Sequence, residues 1–211
     1  MTREQIRKEF WRDESKKSIE EYRRLNELES AKLLRRSTES FYRCILYLVT
    51  GRGVSLLRSF GKDQGLSELP EVSYSNYKHD VAVTDLRILF DQWGYKDWVS
   101  ERVLSKINDL RYLPDGMIHH RGRNIAIEYE STLKSTNRYR DIFLHYALER
   151  KVDTVLYIVA SEKMIEKMSN QKFRNKIHFV TLQNLQTQEL SAQLKGISGL
   201  CSVQEVMGGN V

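Results

Sequence analysis

Three carboxylates in the middle of the chain have types and spacing that could do chemistry. Asp115 follows Pro114 at the start of one apolar segment, and Glu128 and Glu130 close the next. If both segments are strands, Glu128 and Glu130 share a face, because side chains alternate along a strand. In a hairpin the start of one strand lies beside the end of its partner, so Asp115 is expected within reach of the pair. Three carboxylates at one point repel one another. A hard divalent cation, Mg²⁺ or Mn²⁺, removes that conflict because it prefers oxygen ligands. Metal-held carboxylates can activate a water and steady the charge on a phosphodiester during in-line attack. A nearby lysine helps to stabilise that charge. Lys134, four residues after Glu130, is the candidate.

The surrounding elements must hold these residues in place. Val81 to Trp93 reads as a helix and Trp98 to Leu104 as a strand. Pro114 to His120 and Asn124 to Glu130 read as two strands joined at Arg121-Gly122, a hairpin-type turn. Asn137 to Glu149 is amphipathic, with Tyr139, Ile142, Phe143 and Tyr146 at helical spacing and assigned to the core. Val152 to Ala160 reads as a strand of the buried kind on the apolar run Val155 to Ala160. A helix near Lys163 to Met168 and a strand at Ile177 to Thr181 complete an order of α-β-β-β-α-β, then α-β. The fold class is therefore mixed, α/β or α+β.

Pro114-Asp115, twelve residues, then Glu128-x-Glu130 in a hairpin with a helix behind it resembles the core of the PD-(D/E)XK nucleases. That family shares the α-β-β-β-α-β order. HDVAVTDLRI, WVSERVL, LPDGMI and IAIEYESTLKSTNRY resemble the replication-relaxation family of plasmids and integrative elements, which pairs a winged helix with such a core. By this resemblance the core is restriction-endonuclease-like, Asp115 and Glu128 are metal ligands, and Glu101 is an additional acid beside them. The family pattern has Lys where this chain has Glu130, although some restriction enzymes of the superfamily also carry Glu there.

The N-terminal third is the more basic part. Residues 1–70 carry 15 Lys/Arg against 11 Asp/Glu, and residues 71–211 carry 19 against 17. The formal charge of +6 weakly favours a polyanionic partner, and the resemblance implies that this partner is DNA. Residues 15–35 read as a long helix on the repeat Ile19, Tyr22, Leu25, Leu28, closed by Leu33 and Leu34. A shorter helix with Ile6, Phe10 and Trp11 precedes it. A strand from Phe41 to Val49 follows, and then a helix capped by Thr50 with Leu56, Leu57 and Phe60 on one face. RRLNELESAKLLRRS followed by YLVTGRGVSLL resembles the second half of a winged helix, whose first helix would precede Met1. The alternative is a helical arm that packs on the main domain or makes a dimer. In the winged-helix reading Arg23, Arg24, Arg35 and Arg36 lie near DNA. Arg138 and Arg140 could hold phosphates at the rim of the acidic site.

The expected organisation is a basic helical region over 1–62, a linker over 63–78, a nuclease-like domain over 79–206 and a frayed tail over 207–211. His79, His119 and His120 read as surface hydrogen-bonding groups, and Trp93 and Trp98 as packing residues. Cys44 and Cys201 form no metal or disulfide pattern. No apolar run is long enough to cross a membrane, and no secretory signal stands behind MTREQIRKEF. A cytoplasmic setting and a possible homodimer or larger assembly are expected. The functional expectation is a metal-dependent DNA endonuclease. The alternative is a catalytically silent DNA-binding regulator that keeps the same fold. A helical interaction adaptor with solvated acids is the third reading.

Overall fold

The computed structural model describes residues 1–11, 17–37, 44–62, 65–69, 72–107 and 110–208. The chain divides into two compact units, Met1–Leu89 and Phe90–Val211.

The first unit opens on α1 (Arg3–Phe10), where Thr2 and Gln5 form a capping box. Then come α2 (Lys17–Ser30), an antiparallel hairpin of β1 (Leu34–Ser37) and β2 (Leu46–Val49), and α3 (Gly51–Ser59). Thr2 also bridges to Leu46, so the chain start lies along β2. The long helix expected over 15–35 stops at Ser30. Lys32 takes a positive φ of 57°, and Leu34 begins β1 instead of closing α2. The expected apolar face of α2 is also different, since Ile19 is 83% exposed and Tyr22 is exposed, while Leu25 is buried. A strict three-residue repeat drifts by about 60° per step on an α-helix, so these residues spread around half the helix. Glu21, one turn before Leu25, is fully buried. Its carboxylate accepts from Arg3 Nε at 2.8 Å and Arg7 Nε at 3.0 Å, which clamps α1 to α2. Of the strand expected over Phe41 to Val49, Leu46–Val49 is present, and residues 41–43 lie outside the described residues.

Thr50 caps α3 as expected, accepting from Gly53 N at 3.1 Å, while its own hydroxyl donates to Lys32 O at 2.6 Å. α3 buries Gly53 and Val54, and leaves Leu56 and Phe60 exposed. A Cβ on Gly53 would stand 2.4 Å from Leu33 O and 2.7 Å from Val49 Cγ2. Gly53→Ala is therefore expected to destabilise this unit by roughly 1–3 kcal/mol, as overpacking against backbone does. Denaturant unfolding checks this, and an unchanged midpoint would contradict it.

The helix expected over Val81 to Trp93 is α4 (Tyr77–Gln92), and the first unit takes it in as far as Leu89. Its first turns pack Tyr77 and Val81 against Leu46, Leu48 and Val72, and Gln5 Nε2 donates to Val81 O at 2.7 Å.

The second unit is built on a seven-stranded mixed sheet. β3 (Trp98–Ser100) is shorter than expected, because Glu101 already starts α5 (Glu101–Ile107). β4 (Gly116–His120) and β5 (Arg123–Glu130) follow, then α6 (Thr136–Leu148) and β6 (Thr154–Val159). The rest is α7 (Glu162–Ser169), β7 (Ile177–Thr181), α8 (Leu182–Gln188), β8 (Gln193–Gly196), β9 (Gly199–Ser202) and α9 (Val203–Val206). Strand order follows chain order from β3 to β9. β3, β4 and β5 are antiparallel, β5, β6 and β7 are parallel, and β8 and β9 return antiparallel. Arg121 and Gly122 both take positive φ, which a two-residue hairpin turn matching strand twist needs.

Every residue of β6 is buried, as befits an interior parallel strand. Against it α6 lays Tyr139, Ile142, Phe143 and Tyr146. The Phe143 ring meets Tyr157 edge-on at 5.8 Å and Phe179 at 5.9 Å. Trp98 packs over Gly116, where a Cβ would come within 2.1 Å of the indole. The tail is anchored further than expected, since Met207 is fully buried and Arg121 donates to Gly208 O at 2.7 Å. Among the described residues, no helix is long and apolar enough to cross a membrane.

Candidate active site

The β4–β5 register decides where the acids meet. Gly116 pairs with Ile127, so one step further Asp115 lies opposite Glu128. Asp115 is fixed there by its Oδ2, which accepts from Tyr129 N at 2.7 Å. Glu128 and Glu130 lie on the same face of β5, and each is only 5% exposed. The hairpin thus brings all three predicted acids to one end of the sheet.

Their surroundings differ. Burial, and then the neighbouring charge of Asp115, raise Glu128 well above the usual carboxylate range. The Tyr146 hydroxyl, which donates to Glu128 Oε1, and the charge of Lys134 oppose that shift. Glu130 Oε2 has the Lys134 ammonium 2.5 Å away, a close ionic contact that is not aligned as a hydrogen bond. Lys134 is half-buried, and its backbone N donates to Tyr139 Oη at 2.9 Å. Next to it Ser135 caps α6, accepting from Arg138 N at 3.3 Å. The loop between β5 and α6 is therefore held at its α6 end, and its lysine is turned onto Glu130.

Glu101 reaches the site through its backbone. Its N–H donates to Asp115 O at 3.3 Å, while its side chain is exposed. Arg138 lies exposed on the first turn of α6. Its charge is felt at Tyr112, whose hydroxyl burial holds far up, with Glu128 and Asp115 adding to that effect. Arg140 is exposed beside Asp141 at 3.4 Å. His119 and His120 sit at the far end of β4 from Asp115. His119 bonds Asn124 at 2.6 Å, and His120 meets the Tyr95 ring. His79 lies beside Asp80. Tyr139 and Tyr146 are core residues as expected, but each also spends its hydroxyl on the site. Their seven-residue spacing was legible; the target of each hydroxyl was not.

Among the described residues, no three His, Cys, Asp or Glu side chains gather closely enough to hold a metal ion between them. Glu130 is engaged by Lys134 instead of completing such a group. The remaining donors, Asp115 and Glu128, still suit Mg²⁺. That ion is commonly held by one or two carboxylates together with waters and substrate phosphates.

In the first unit the four candidate arginines already have partners. Arg36 donates to Glu29 at 2.7 Å and Asn26 at 2.9 Å and covers the Tyr47 ring, and Arg35 donates to Leu69 O at 3.0 Å. Arg23 and Arg24 share the exposed Glu27. Exposed pairs of that kind are worth only about 0.2–1 kcal/mol, so a phosphate could replace Glu27 at little cost.

Compared with known proteins, the chain matches no family model, no curated protein and no solved structure.

Proposed function

We propose that the second unit is a metal-dependent DNA endonuclease of the PD-(D/E)XK kind, and that the first unit is a partial winged helix that contacts DNA. The pairing of Asp115 opposite Glu128, with Lys134 delivered to the same strand end, carries the reading. The β3-β4-β5-α6-β6 order of the second unit, with α5 inserted after β3, supports it; α4, the helix before β3, lies mostly in the first unit. In this reading Asp115 and Glu128 hold Mg²⁺, which supplies a Lewis acid and an activated water. Glu130 holds Lys134 in place of the lysine that the family has at position 130. The Lys134 ammonium faces the charge that develops on the phosphate, and Arg138 holds a neighbouring phosphate at the rim. Supercoiled plasmid with Mg²⁺ or Mn²⁺ tests this directly. Nicking is expected from the wild type and lost in Glu128→Gln. Plasmid left intact under conditions where DNA is bound would sink the enzymatic reading.

One observation favours a catalytically silent DNA-binding regulator. Lys134, the lysine that reaches the acids among the described residues, is neutralised by Glu130, one for one. Lys134→Ala separates the two readings. An enzyme loses rate with its metal binding intact, whereas a silent protein has no rate to lose.

For the first unit, the clamp of α1 on α2 by Glu21 and the hairpin beyond support a winged-helix reading. Reversing Arg23 and Arg24 to Glu is expected to weaken DNA binding and flatten its salt dependence without changing Tm. Each lost phosphate contact lowers the log–log salt slope by about 0.9. Arg36→Glu is expected to lower Tm instead, because Glu29, Asn26 and Tyr47 lose their partner. Unchanged binding by the Arg23/Arg24 variant would favour a packing arm.

A further inference from the structure

We propose that Tyr146 and Tyr139 of α6 are positioning residues, Tyr146 for Glu128 and Tyr139 for Lys134. This rests on the site reading above and assigns the machinery behind it. The two tyrosines stand seven residues apart, two turns along one face of the helix. Both are essentially fully buried. A buried hydroxyl is costly unless it finds a partner, and each of these finds its partner at the site. Tyr146 Oη donates to Glu128 Oε1 and leaves Oε2 as the oxygen that the tyrosine does not hold. Tyr139 Oη accepts from the backbone of Lys134 at 2.9 Å, which fixes the base of the lysine whose ammonium lies on Glu130.

Phe143 lies on the same buried face and packs on Tyr157 and Phe179. It carries no hydroxyl, so the two tyrosines of this face are the residues of α6 that reach the site with hydrogen bonds. A partner that orients a ligating carboxylate typically changes metal affinity by about 10–100-fold. A loop anchor acts on placement, where a shift of about 1 Å can cost up to roughly 100-fold in rate.

The test uses the full chain, with Mn²⁺ alone as the binding probe. Tyr146→Phe and Tyr139→Phe keep their rings, and far-UV circular dichroism with a metal-free melt confirms that each is folded. Calorimetric titration is expected to give Tyr146→Phe a Mn²⁺ Kd raised about tenfold or more. Tyr139→Phe is expected to keep the wild-type Kd and to nick roughly 10–100-fold more slowly at saturating Mn²⁺. In a Glu128→Gln background, Tyr146→Phe should change Mn²⁺ binding no further. If the wild type binds Mn²⁺ and Tyr146→Phe binds it equally well, the proposal is overturned while the site reading stands. If both variants lose affinity and rate together with Tm, the tyrosines are structural only and the proposal also falls. If the wild type itself takes up no Mn²⁺, the site reading fails, and the positioning roles fail with it.

Discussion

Asp115→Asn should abolish the rise in melting temperature that Mn²⁺ gives the wild-type protein. An ion that binds only the folded chain stabilises it by about 2.7 kcal/mol at 100 times its Kd. For a chain of this size that is a shift of roughly 5–10 °C. The site lies between two backbone-fixed strand ends and does not exist in the unfolded chain, so the binding energy appears in full as stability. The substitution is gentle by design. An asparagine oxygen can still accept from Tyr129 N, so the hairpin keeps its bond. The variant also removes the charge that, after burial, most disfavours ionised Glu128. Metal-free Asp115→Asn is therefore expected to melt slightly above the metal-free wild type, with the Mn²⁺ shift gone. Differential scanning calorimetry with EDTA and with Mn²⁺ measures both, and a shift that survives would move the metal elsewhere.

Glu128→Gln should stabilise the metal-free protein, and increasingly so as the pH rises. Burial and Asp115 raise the Glu128 carboxyl well above its usual value of 4.5. A carboxyl raised in the native state holds its proton more tightly there than in the unfolded chain. Its stabilising contribution is full below the unfolded value and is lost as pH climbs through the folded one. Other groups, Glu149 and His178 among them, act on the opposite side. Glu149 is held below the usual range by the backbone N–H groups of Lys151, Arg111 and Arg150, against the opposing effect of burial, and His178 is lowered by burial and Arg123. Their contributions are lost as pH falls. They are common to both proteins and cancel in the comparison. The Tm difference between Glu128→Gln and wild type, measured in EDTA from pH 5 to 9, should therefore widen upward with pH. A difference that does not change with pH would show that Glu128 titrates normally.

The parts of this molecule that could be read from sequence are those where local pattern and tertiary demand agree. From Val155 to Val159 β6 is an unbroken apolar run because both faces of an interior parallel strand are covered, and Arg121-Gly122 sits where the hairpin needs two positive φ values. Asp115 could be placed near Glu128 because hairpin register follows from turn length. Other features depend on choices that a pattern does not carry. The repeat of Ile19, Tyr22, Leu25 and Leu28 looks amphipathic, yet the face that packs carries Glu21, a charge whose burial Arg3 and Arg7 explain. Lys134 follows Glu130 by four residues, which guarantees proximity in a helix but not across a loop. The loop closes because Tyr139 and Ser135 hold it. β8 and the edge strand β9 are only four residues each, and they exist by pairing with β7 and with each other.

The account turns on whether Asp115 and Glu128 hold one divalent cation. Anomalous scattering from a Mn²⁺-soaked crystal of the full chain asks that question with the least inference. A single anomalous peak within coordinating distance of both carboxylates, about 2.0–2.3 Å from oxygen as for small hard cations, is the predicted result. Strong Mn²⁺ peaks elsewhere with none between Asp115 and Glu128, in crystals grown above pH 7, would contradict it.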